Sequence, residues 1–96
     1  MTKGVDISPF LISILEVAAD NPRFSPAHIS LYAAILQHYF QQEKQPVIIY
    51  GKGLMKYAKI SGTATYHEVL QELQEFGFIV YEPSFNPSQG SKITLK

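Results

Sequence analysis

The chain has 96 residues, with eight Lys+Arg against eight Asp+Glu and neither cysteine nor tryptophan. A hydrophobic fraction of 46% beside 17% charged residues suits a packed globule rather than a disordered chain. The missing cysteine excludes disulfides and thiolate chemistry, and the zero net charge sets aside the strongly basic class of nucleic-acid binders.

The start of the chain does not read as a signal peptide, because Asp6, Pro9 and Glu16 interrupt any apolar stretch. Its longest apolar runs are only a few residues, too short to span a bilayer. A reducing cytoplasm is the expected location, with no membrane partner. No linker, repeat or low-complexity segment divides residues 1–96, so one domain is expected.

Two helix starts share one pattern. In Ile7-Ser8-Pro9-Phe10-Leu11-Ile12 and again in Phe24-Ser25-Pro26-Ala27-His28-Ile29, a serine stands at the N-cap and a proline at the first helical position. The pattern predicts helices over 9–20 and 26–43, the first ending at Asp20-Asn21-Pro22. In the second, Ile29, Tyr32, Ala33, Leu36, Tyr39 and Phe40 recur at helical spacing as a core stripe, with Leu31 and Ile35 beside it. The first is equally broad in apolar residues. Two readings follow: a central helix enclosed by its neighbours, or a surface that pairs two copies of the chain as a homodimer through helices 1 and 2.

Pro46-Val47-Ile48-Ile49-Tyr50 is a β-branched run that predicts a short strand over 47–50, and Gly51-Lys52-Gly53 reads as a turn. Leu54 to Ile60 spans two helical turns, with Leu54, Tyr57, Ala58 and Ile60 facing inward. Ser61-Gly62 breaks it. From Thr63 to Phe76 helical spacing resumes through Tyr66, Val69, Leu70, Leu73 and Phe76, and Gly77 supplies a left-handed terminus. Phe78-Ile79-Val80-Tyr81 is a strand, and Lys92-Ile93-Thr94-Leu95-Lys96 alternates like a half-buried one. Between them, a loop rich in Pro, Ser, Asn and Gly closes a long hairpin. Phe85 in that loop is either an anchor folded back on the protein or a contact for a partner.

The fold class is therefore α+β and mostly helical: about four helices, one short strand and a C-terminal hairpin. From Val47 onward this order resembles a winged helix-turn-helix domain, with the helix-turn-helix over 53–76 and the wing over 78–96. The likeness is carried by Gly62-Thr63-Ala64-Thr65-Tyr66-His67 with Leu70, Leu73 and Gly77-Phe78-Ile79, which is similar to the recognition-helix region of MarR-type and GntR-type bacterial regulators. The block Tyr81-Glu82-Pro83-Ser84-Phe85-Asn86-Pro87, with Gly90-Ser91-Lys92, also resembles the wing of small regulators carried on bacterial mobile elements. The resemblance implies double-stranded DNA as partner, with Thr63, Ala64 and His67 facing bases and Thr65 nearer the backbone. It implies phosphate contact by the start of the same helix and by the wing, including Ser91 and Lys92. The chain departs from the pattern where those families often carry arginine, at His67 or Thr63, and where Gly62 replaces a usual serine.

Charge is unevenly spread. Gly51 to His67 holds Lys52, Lys56 and Lys59 and no acid, a net of +3, and Pro83 to the end holds Lys92 and Lys96, a net of +2. Glu68, Glu72 and Glu75 follow later in the recognition helix, where an exposed ridge is expected. Five lysines fit a small phosphate footprint. The neutral balance and absent arginines fit a second reading, a winged-helix module that binds another protein. A third is an accessory domain without activity of its own.

Other chemistries lack their motifs. His28, His38 and His67 are ten and twenty-nine residues apart, without metal-ligand spacing. Gly51-Lys52-Gly53 lacks the spacing of a phosphate loop, and there is no nucleophile elbow. The expectation is a non-enzyme without cofactor or metal.

Overall fold

The structure is a computed structural model that describes residues 6–42, 47–83 and 90–96. Its elements in chain order are α1 (Ser8–Asp20), α2 (Pro26–Gln41), β1 (Val47–Ile49), α3 (Gly51–Ala58), α4 (Thr63–Glu75), β2 (Ile79–Glu82) and β3 (Ser91–Leu95). This is a small α+β fold. No helix is long and apolar enough to cross a membrane, among the described residues.

The two helix starts prove unlike. Ser25 caps α2 from an extended conformation, and His28 turns its Nδ1 back to accept the Ser25 N–H at 2.9 Å. Ser8 does not cap α1. Its N–H donates to Asp6 Oδ1 at 2.9 Å, and Ile7 becomes the N-cap residue, so the helix begins one residue earlier than expected. Asp6 thus satisfies the N–H of the first helical residue, whereas a Ser8 cap would have served an N–H two or three residues further on.

α2 ends at Gln41. The Gln42 side chain then pairs with Ile48 as a strand would, donating to the carbonyl at 3.1 Å and accepting the N–H at 3.3 Å. Residue 43, expected in the helix, lies outside the described residues, as does the loop tip from Ser84 to Gln89 with Phe85.

Leu31, Tyr32, Ala34, Ile35, Leu36 and Tyr39 are all buried, so α2 is enclosed on most sides and packs against α1, α3, α4 and β1. This favours the enclosed-helix reading. Ala33, expected in the core stripe, is exposed, and Leu31 and Ile35 are fully buried in its place. α1 keeps only Ile14 fully buried and leaves Ile12, Leu15 and Val17 on the surface.

Gly51-Lys52-Gly53 is the first turn of α3 rather than a separate turn. Gly51 lies against the buried ring of Tyr66, whose Cε2 would be 3.5 Å from an added Cβ, so long-range packing draws the segment into the helix. Tyr57, expected in the core, is 60% exposed, with its ring edge-on to His38 at 5.2 Å between centroids. Leu54, Ala58 and Ile60 are buried as expected.

The sheet is antiparallel in the order β1-β3-β2. Ile79 pairs with Leu95 and Glu82 with Lys92 on one side of β3, while Val47 pairs with Ile93 and Ile49 with Ser91 on the other. The hairpin was expected, and the edge strand β1 joining it completes the sheet. Gly77, at φ 85°, ends α4, with the Phe78 N–H reaching back to the Leu73 carbonyl at 3.0 Å.

Candidate nucleic-acid interface

Packing brings three segments to one edge. The Gly51–Tyr66 contact sets the first turn of α3 beside the first turn of α4. The Ile49–Ser91 pairing sets the start of β3 two residues from where α3 begins. Lys56, Lys59 and Ser61 then line one shallow cleft of about 330 Å³, floored by Met55 and Ile60, at the turn into α4. Lys52, Lys56, Lys59, Thr63, Ala64, Thr65, His67 and Lys92 are all exposed, and Ser91 is half-buried.

α4 is anchored by Tyr66, Val69, Leu70 and Leu73, all buried, which leaves its opposite face in solvent. Burial pushes the Tyr66 hydroxyl up to about 12, so the ring acts as a neutral core residue and not as a proton donor. The first intrahelical bond is from the Tyr66 N–H to the Gly62 carbonyl at 3.0 Å. The N–H groups of Thr63, Ala64 and Thr65 precede it, and Gly62 has no side chain to cap them. No acid lies in the first turn of α3 or α4, so the positive ends of both dipoles are unopposed within their own helices.

Lys59 takes a left-handed conformation, φ 61°, that closes α3 as glycine commonly does. This aims the chain into α4 and places a cation at the turn. His67 stacks edge-on to Tyr66 with centroids 5.1 Å apart, which orients its ring at the helix start.

Two observations qualify the lysine-only picture. Lys92 stands directly opposite Glu82 in the β2–β3 register, so an acid accompanies the cation of β3. Glu68, four residues after Ala64, is exposed and shares its side of α4. The exposed face also carries Gln71, four residues after His67, which the motif left out. Its signal was available: the same helical spacing of three and four that fixes the buried residues also fixes what lies opposite them.

The expected ridge of solvated acids breaks up. Glu72 is tied to two partners, accepting from His28 Nε2 at 2.7 Å and from Arg23 at 2.9 Å. Arg23 lies 3.6 Å from Glu75 as well and over the Phe76 ring at 4.9 Å. His28 is 4% exposed. Because its Nδ1 receives a backbone N–H, Nε2 carries the hydrogen given to Glu72. These bonds hold the Glu72 carboxyl below the usual carboxylate range, His28 contributing most and Arg23 next. The cluster fastens the start of α2 to the C-terminal turn of α4, and so holds that end of α4 in place. His38 instead gives its Nδ1–H to the Ala34 carbonyl at 2.8 Å. No group of three metal-binding side chains occurs among the described residues.

No protein family, curated protein or solved structure matches this chain.

Proposed function

We propose that the chain is a winged helix-turn-helix DNA-binding protein acting in transcription or mobile-element control. The element order from α2 to β3, with β3 inserted between β1 and β2, supports the winged-helix reading. In this reading α4 lies in the major groove, with Thr63, Ala64, His67 and Gln71 toward base edges. Lys52, Lys56 and Lys59, with the uncapped start of α4, contact phosphates, and Ser91 and Lys92 follow the backbone from the wing.

One observation carries the reading: the acid-free first turns of α3 and α4 meet at one edge with three exposed lysines beside them. Anisotropy with random and genomic duplex DNA across a salt series tests it, and affinity should fall steeply as salt rises. A folded protein that binds no duplex at low salt overturns it.

The second reading, a winged-helix module that binds a protein without independent DNA binding, is favoured by Glu68 on the exposed face of α4 and Glu82 opposite Lys92. Recovery of one stoichiometric protein partner with no DNA retained supports that reading instead.

A further inference from the structure

α1 combines exposed apolar surface with unbalanced acid. Ile12 and Leu15 are 54% and 49% exposed. With Ala19 they form one ridge at spacings of three and four, and Glu16 and Asp20 form the adjoining ridge. Leu15, Ala18 and Ala19 make one wall of a cleft of about 340 Å³, and Phe24, Pro26 and Ile29 make the other. The α2 ridge that continues from Ile29 carries Ala33 and Gln37, exposed and uncharged.

The charge that α1 brings to this cleft has one sign. Residues 6–20 include Asp6, Glu16 and Asp20 and no base. Neither Glu16 nor Asp20 forms an ion pair among the described residues. Both lie in the C-terminal half of α1, whose last turn has no base, so the negative end of the helix dipole adds to their field. Arg23, the next base along the chain, is committed to Glu72 and Glu75. An isologous pairing of two α1 helices would set acid against acid, which disfavours a second copy here.

We infer that the α1–α2 cleft docks a basic amphipathic helix of another protein. Its apolar residues, three and four apart, fill the cleft, while Lys or Arg beside them face Glu16, Asp20 and the carboxyl end of α1. The inference uses no residue of the basic edge and stands apart from DNA binding.

Two synthetic peptides about four turns long, with one leucine pattern and either lysine or glutamate at the flanking positions, test it by amide-shift titration of the whole protein. The lysine peptide should shift α1 and the first half of α2 and bind at least about tenfold more tightly than the glutamate peptide, with salt reducing the difference. The double variant Glu16→Gln, Asp20→Asn should abolish that preference. Equal binding of the two peptides, no binding, or shifts confined to other elements overturns the inference. So do α1 shifts that follow protein concentration alone, which would identify a second copy as the occupant. If the double variant fails to fold, the comparison of the two peptides on the wild-type protein still decides.

Discussion

Lys59 separates two roles that sequence patterns merge. Its left-handed backbone closes α3, and its ammonium belongs to the basic edge. Lys59→Gly relieves the conformation and deletes the charge. Denaturant unfolding should show stability raised by up to about 1 kcal/mol, while duplex affinity falls. If the lysine served only the turn, affinity would stay constant. The His28–Glu72 pair sets a different test. Glu72→Ala leaves the buried His28 N–H without its acceptor and should cost about 1–3 kcal/mol, whereas Glu72→Gln keeps an acceptor and should cost less. Since the folded carboxyl titrates below its ordinary value of 4.5, its contribution is fully present above that value and is lost as pH falls through the lower one. Thermal melts from pH 7 to 3 should therefore show a shallower acid decline for Glu72→Gln than for wild type. Neither partner was legible in the sequence, because 44 residues separate them and Glu72 sits amid glutamates that share its spacing.

Elements whose signals are local were readable. The Ser25-Pro26 start of α2, the glycine after α4 and the Leu70–Leu73 spacing each depend on residues within one or two turns. The body of α3 was readable too, but its first turn was not, because Gly51-Lys52-Gly53 has turn chemistry on its own and becomes helical only against Tyr66, fifteen positions later. For α1, helical spacing was clear but the buried face was not, since all its faces carry apolar residues and only packing on α2 selects Ile14. This selection is testable. Ile14→Ala should destabilise by about 2–5 kcal/mol, while Ile12→Ser should stay within about 1 kcal/mol of wild type by urea unfolding. Equal losses at the two positions would mean that α1 is held on another face.

At the scale of the molecule, zero net charge is a sum over unlike surfaces. Lys52, Lys56 and Lys59 gather at one edge, acids without bases occupy α1, and Arg23 is shared between two glutamates of α4. The lysine positions were legible as counts along the chain, but the opposition of Glu82 to Lys92 required the strand register. In the proposed DNA-binding role, this division sets how strongly affinity should respond to salt. Three phosphates neutralised per copy give a slope of about −3 in log affinity against log salt, because each releases close to one counterion. Lys56→Glu with Lys59→Glu should bring the slope to about −1 and weaken every sequence alike, since phosphate contacts position without reading bases. Thr63→Ala and Gln71→Ala should leave the slope unchanged and alter the preferred sequence instead. Glu82→Gln should strengthen binding at low salt by unmasking Lys92, and by progressively less as screening rises. A wild-type slope near zero, or one untouched by the lysine reversals, would remove the basic edge from the binding surface.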